Sequence, residues 1–193
     1  MNIGIFGGSF NPPHVGHLIV LESVRDQFQF DKTFIIPSAQ TPNKLEGALA
    51  PQDVRLAMTR LAFEGNVNYE VLDIEIHRRG VSYTVDTVKE LADRYRHARL
   101  SLIIGADNFL DFQSWRSPEE ILNYADLVIM NRPGFEIKDA GNEYFRRARS
   151  VNVPFIGISG TDIRRRIKLG RSIHFLVPKA VEEYIYRNGL YRD

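Results

Sequence analysis

Short apolar runs alternate along the chain with longer stretches in which apolar residues recur at helical spacing. Ile3-Gly4-Ile5-Phe6 is the first run, closed by Gly7 and Gly8, and Leu18, Val20, Leu21, Val24 and Phe28 follow with a helical period. Thr33-Phe34-Ile35-Ile36 is a second strand candidate closed by Pro37, and residues 38–50 then read as an ordered loop. Pro51 suits a first helical position ahead of the stripe Val54, Leu56, Met58, Leu61 and Ala62, which Gly65 ends. A third strand is expected near Tyr69 to Leu72, and after Gly80 a helix carrying Val85, Val88, Leu91, Ala92 and Tyr95. Leu100-Ser101-Leu102-Ile103-Ile104 reads as a buried strand stopped by Gly105, and Leu127-Val128-Ile129-Met130 as another. Val153-Pro154-Phe155-Ile156 is expected to be a short edge strand because of its proline, and helices from about Thr161 and from Pro178 finish the chain.

Strands separated by helical segments need crossover connections. The predicted fold class is therefore α/β: a Rossmann-like, doubly wound, mostly parallel sheet with helices on both faces. Ligands of such sheets gather at the carboxyl ends of the strands. No repeat, low-complexity tract or linker divides the chain, so residues 1–193 are expected to form one domain.

Composition narrows the partners. With 44% apolar and 25% charged residues the chain has a core to bury, which excludes the pattern of disorder. Its 25 basic and 24 acidic side chains leave a net charge of +1, so no overall field draws it to nucleic acid or to an anionic membrane. Phosphate binding, if present, must be local. The absence of cysteine removes disulfides, thiolate nucleophiles and cysteine-ligated metals, and suits a reducing cytoplasm. No export signal and no stretch of ~20 apolar residues suggests a membrane span. The expected location is cytoplasmic, and a homo-oligomer is left open.

The candidate chemistry begins at Gly7-Gly8-Ser9-Phe10-Asn11-Pro12-Pro13-His14-Val15-Gly16-His17. Gly7 and Gly8 follow a strand, where the lack of a Cβ lets main-chain N–H groups approach a phosphate, and Ser9 adds a hydroxyl. A Gly-Gly pair can equally be a tight turn. His14 and His17 are better placed, because they stand three apart at a predicted helix start, where the helix dipole also favours an anion. A single histidine there would as easily be a cap or a core residue. Zinc is a poor reading of the pair, since no Glu lies between the histidines and no third ligand follows closely. Imidazole suits phosphoryl or nucleotidyl transfer, because it donates to nonbridging oxygens and carries a proton near neutral pH.

A second anion site is expected at Ile158-Ser159-Gly160-Thr161-Asp162-Ile163-Arg164. Either Ser159 or Thr161 can cap the helix that starts there. Arg164, Arg165 and Arg166 point ~100° apart around a helix, so one or two at most can reach a phosphate, and Arg164 is the choice. A capped helix with a solvated basic face is the plainer alternative.

The run from Gly7 to His17 resembles the nucleotide-binding signature of the nucleotidyltransferase superfamily, and its Gly-Gly-Ser-Phe-Asn-Pro-Pro-His form resembles the bacterial nicotinate-nucleotide adenylyltransferases. The Ser159 to Arg164 segment is similar to the Ser/Thr-rich motif that contacts the ATP triphosphate in these enzymes. Gly160 departs from it, standing where a second serine is common. The resemblance implies that His14, His17 and Arg164 are catalytic. It places Gly7, Gly8, Ser9, Phe10, Gly105, Asp107, Ser159 and Thr161 with them around ATP, Asp107 toward the ribose hydroxyls. Mg²⁺ would arrive with ATP, without a dedicated protein cage.

Three further segments, Ser82-Tyr83-Thr84, Gly105-Ala106-Asp107-Asn108, and Trp115 with Arg132, resemble the nicotinate-nucleotide branch in order and spacing. The resemblance therefore implies that Lys44, Tyr83, Thr84, Trp115 and Arg132 bind nicotinate mononucleotide, with Lys44 also in reach of the triphosphate. On their own residues the alternatives stay open: Trp115 is a stacking face or a buried loop anchor, Thr84 a carboxylate contact or a helix cap, and Asp107 a ribose contact or a cap. The implied reaction joins ATP and nicotinate mononucleotide into nicotinate adenine dinucleotide. The rivals are an adenylyltransferase for nicotinamide mononucleotide or phosphopantetheine, and a nucleotide-binding module without turnover. A class I aminoacyl-tRNA synthetase is set aside, because the chain has no room for a tRNA-binding domain and no Lys-Met-Ser-Lys-Ser segment.

Overall fold

A computed structural model of the chain describes residues 1–40, 49–131 and 143–192. Strand β1 (Asn2–Gly8) leads into helix α1 (Val15–Phe28), then β2 (Lys32–Pro37), α2 (Gln52–Phe63) and β3 (Tyr69–Val71). The chain continues through α3 (Ile74–Arg78), α4 (Thr84–Arg94), β4 (Arg99–Gly105), α5 (Ala106–Leu110), α6 (Pro118–Tyr124) and β5 (Asp126–Asn131). It ends with β6 (Ala148–Asn152), α7 (Gly160–Lys168) and α8 (Lys179–Arg187).

The described strands form a six-stranded sheet in the order β3-β2-β1-β4-β5-β6, and every pairing is parallel. Parallel strands between two helical layers are buried on both faces, which explains the continuous apolar runs of β4 and β5. Successive residues point to opposite layers. Ile3, Ile5, Leu102, Ile104, Leu127 and Ile129 enter the layer that holds Val85, Val88 and Leu91 of α4 and Ile121 of α6. Phe6, Ile103, Val128 and Met130 enter the other, with Leu21 and Val24 of α1, Met58 of α2, Ile163 and Ile167 of α7, and Val181 and Ile185 of α8. Each such side chain stabilises the fold by about 1.5–3 kcal/mol relative to exposure.

Two expectations shift. The last strand is Ala148–Asn152, and Val153-Pro154-Phe155-Ile156 forms none. β6 is an edge strand in which Arg149, Ser150 and Asn152 are exposed and Val151 is buried, so it lacks the apolar run that marks a central strand. Pro154 has no N–H to extend the ladder. Pro51 is the N-cap of α2 rather than its first helical residue. Helices α3, α5 and α6 add to the predicted set; they are too short to show a helical period. Among the described residues no helix is long and apolar enough to cross a membrane.

Candidate active site

The chain reverses its direction of travel across the sheet at β1, which has β2 on one side and β4 on the other. Pairing with β2 runs through Gly8↔Pro37, while pairing with β4 ends at Ile5↔Leu102. The two central strands therefore part toward Gly7 and Gly8, which opens the crevice expected at such a switch point. The N-termini of helices that follow the strands face the same edge.

The loop after β1 brings the two histidines together. His14 is buried and caps α1 in extended conformation, with φ −140° and ψ 166°. Its main-chain N–H donates to Nδ1 of His17 at 3.1 Å, and the two rings stack with centroids 3.7 Å apart. Because Nδ1 of His17 accepts, the neutral ring carries its proton on Nε2 and is a donor at that edge. Gly16 is required by this stack, since a Cβ there would stand 2.9 Å from His14 Nδ1 and 3.1 Å from Ile156 Cγ2. The N–H of Val15 is occupied by the Leu176 carbonyl at 3.0 Å, so this first donor of the helix is already satisfied within the fold.

Phe10 lies in the core, 2% exposed, with its ring 5.2 Å from His17 and 5.9 Å from Phe6. Its side chain supports the histidine, so contact between Phe10 and a nucleotide would have to be through the main chain.

The second motif meets the first. Ser159 caps α7, its hydroxyl accepting the Asp162 N–H at 3.1 Å, and Thr161 does not share that task. Arg164 donates through Nη1 to the Asn11 carbonyl at 2.7 Å and through Nη2 to Thr161 Oγ1 at 3.3 Å. Arg165 instead pairs with Asp162, and Arg166 donates to the Ser172 carbonyl. Of the three arginines, Arg164 is the one turned to the Gly-rich loop. At Gly160 a Cβ would stand 2.9 Å from the Asn11 carbonyl oxygen, so the departure from serine accompanies a close approach of α7 to that loop.

On the opposite layer, Tyr83 is the N-cap of α4 and Thr84 its first residue, with no side-chain cap bond. The Arg116 guanidinium lies over the Tyr83 ring, 4.6 Å from its centroid, which brings the Trp115 turn beside the start of α4. Trp115 is partly buried, its indole 5.3 Å from the Phe112 ring, so it anchors the turn and also keeps an accessible surface. Gly105 ends β4, where a Cβ would stand 2.4 Å from Asp107 Oδ1; Asp107 itself is exposed. Lys44 and Arg132 lie outside the described residues.

Two organising residues have no role assigned by the sequence: Asn11, which lies within the first motif, and Tyr191, which carries no local signal. Asn11 is 5% exposed, and its Oδ1 accepts from the Ala50 N–H at 3.1 Å and from the Tyr191 hydroxyl at 2.8 Å. Burial pushes the Tyr191 hydroxyl well above its ordinary pKa, against the opposing influence of Arg164 and Arg55, so it is a neutral donor. Among the described residues no group of three or more His, Asp or Glu could hold a metal ion.

The cytidylyltransferase-like family model matches residues 5–166. A Salinibacter ruber protein named probable nicotinate-nucleotide adenylyltransferase is 44% identical over 192 residues, covering 100% of this chain and 98% of its own. A Thermus thermophilus protein of the same name is 40% identical over 192 residues, covering 100% of both. Among solved structures, Plasmodium falciparum nicotinic acid mononucleotide adenylyltransferase complexed with NaAD is similar at a TM-score of 0.82 and 21% identity, covering 98% of this chain and 97% of that one. That likeness is one of fold.

Proposed function

The chain belongs to the cytidylyltransferase-like family and, within it, to the nicotinate-nucleotide adenylyltransferases, and on that premise we propose that it transfers the adenylyl group of ATP to nicotinate mononucleotide. The products are nicotinate adenine dinucleotide and pyrophosphate. The observation that carries the reading is the joining of its two anion-binding elements: Arg164 reaches the Asn11 carbonyl at 2.7 Å, beside the stacked His14 and His17.

A phosphate oxygen of nicotinate mononucleotide attacks the α-phosphorus of ATP in line. The new phosphorus–oxygen bond forms as the bond to the β-phosphate bridging oxygen breaks, and pyrophosphate leaves. The nucleophile is already an anion, so alignment and charge stabilisation matter more than a strong base. His17, a donor through Nε2, and His14 stabilise charge on the reacting phosphates. Arg164, Ser159 and Thr161 hold the triphosphate, with the main chain of Gly7 to Phe10 beneath it. Gly105 and Asp107 take the ribose. Tyr83, Thr84 and Trp115 receive the pyridine, and Lys44 and Arg132 the phosphate of the acceptor.

The donor set is imidazole, guanidinium, hydroxyl and main-chain N–H, which suits phosphate oxygens rather than a cation. Mg²⁺ would therefore come bound to ATP, with phosphate oxygens and water as its ligands. Use of ATP accords with the cytoplasmic location expected for the chain.

The test offers ATP with nicotinate mononucleotide, nicotinamide mononucleotide or phosphopantetheine in turn and measures pyrophosphate and dinucleotide. Preferential use of nicotinate mononucleotide is expected. Faster turnover of either alternative acceptor would reassign the substrate, and ATP binding without turnover of any would make the chain a binding module.

A further inference from the structure

Two buried ionisable side chains have no part in the reaction described above. Arg55 of α2 is 1% exposed, yet its hydrogen-bonding partners are main-chain carbonyls: Nε donates to Ala50 at 3.0 Å, Nη1 to Ser9 at 2.8 Å and Nη2 to Ala39 at 2.9 Å. Burial lowers its pKa, but guanidinium starts so far above neutrality that it stays charged. Burying a cation is costly, where an apolar side chain of similar volume would pack without that cost. What an apolar residue would not do is tie the loop after β1, the end of β2 and the start of α2 to one rigid fork.

Glu75 of α3 is 8% exposed and lies on the other side of the same segment. It accepts from Thr87 Oγ1 of α4 at 2.7 Å. Ser82 Oγ accepts the Ala39 N–H at 2.9 Å, and the Ser82 N–H donates to the Gln40 carbonyl at 2.8 Å. Ala39 is thus held on both sides, its carbonyl by Arg55 and its N–H by Ser82. One continuous path runs from Ser9, under the ATP loop, to Ser82, which enters the turn carrying Tyr83 and Thr84.

We propose that Arg55 is a positioning residue that acts through Ala39 and Ser82 to hold the ATP loop and the acceptor loop in one register. This inference rests on the adenylyl-transfer reading, because it gives the two loops one substrate each. In-line transfer is sensitive to such a register: a misplacement of ~1 Å can cost ~10²-fold in rate.

Arg55→Lys keeps the charge but replaces the three-way fork by a single ammonium. At a temperature well below its Tm this variant is expected to lose about tenfold or more in kcat and to bind ATP about threefold more weakly. Met58→Ala is the control, since Met58 is fully buried on the same helix and packs in the core. It should lower Tm while leaving kcat and ATP affinity at wild-type values. An Arg55→Lys enzyme with the kinetics of Met58→Ala overturns the proposal. Should Arg55→Lys not fold, Ser82→Ala decides, because it cuts the same path at its other end: kcat should fall at nearly unchanged Tm, and an unchanged kcat overturns the proposal. The wild-type chain is assayed first with ATP and nicotinate mononucleotide. Lack of product there counts against the proposed function alone, and ATP titration of Arg55→Lys and Ser82→Ala against Met58→Ala then decides the positioning role.

Discussion

His17 accepts the main-chain N–H of His14 through Nδ1 at 3.1 Å while the two imidazoles stack 3.7 Å apart. One hydrogen bond therefore does two things: it closes the start of α1 and sets the tautomer of His17. The side chain that closes the helix start is also the one proposed to meet the reacting phosphates.

Replacing it separates the two roles. His17→Ala should reduce kcat by about 10²–10³, the range for loss of one preorganised donor, while the lost cap lowers stability by only about 1 kcal/mol. Steady-state kinetics and a urea titration measure both. Near-normal turnover would remove His17 from the reaction.

Gly160→Ser restores the residue common in the resembling enzymes, yet here it should do harm. Its Cβ would stand 2.9 Å from the Asn11 carbonyl oxygen and 3.4 Å from Arg164 Nη1. Relieving that overlap costs about 1–3 kcal/mol and pushes Arg164 off Asn11. The KM for ATP should rise more than that for the acceptor; a wild-type KM with full stability would show that α7 has room to spare.

The carboxy-terminal segment contributes to the site through Tyr191, whose hydroxyl donates to Asn11 Oδ1 at 2.8 Å. Tyr191→Phe should lower stability by about 1 kcal/mol at neutral pH. The folded hydroxyl titrates above its ordinary value of 10.0, so the stability it contributes is complete below that pH and is lost as pH climbs through the raised value. Melting temperatures of the two proteins should converge above pH 10, and a gap that grows there would contradict the buried, neutral phenol.

Glu75 provides an acid-side counterpart. Burial raises its pKa above the ordinary 4.5, more than its bonds to Thr87 and Ser82 and the nearby Arg78 lower it. A raised carboxyl favours the folded state while protonated, and that contribution is lost as pH rises through the raised value. The Tm of wild type minus that of Glu75→Gln should therefore be largest at pH 4.5 and below and should fall toward neutral pH. A difference that increases with pH would mean that hydrogen bonding outweighs burial.

Periodicity made the central strands legible, because β1, β2, β4 and β5 are buried on both faces and must be apolar at consecutive positions. It misplaced β6, which has one neighbour and solvent beyond it. The His14 and His17 motif was equally legible, since its parts stand three residues apart on one helix start. The sequence by itself determined the alternation of strand and helix, the glycines and paired histidines at the first turn, and a helix start capped by Ser159 or Thr161. Only the tertiary structure decided that Arg164, rather than Arg165 or Arg166, meets the first loop, that Phe10 packs against the His17 ring, and that Arg55 and Tyr191 bond to that loop from distant parts of the chain. Those assignments depend on groups brought together from distant parts of the chain, such as Tyr191 and Asn11, and a hydrogen bond across that separation leaves no period or spacing to read.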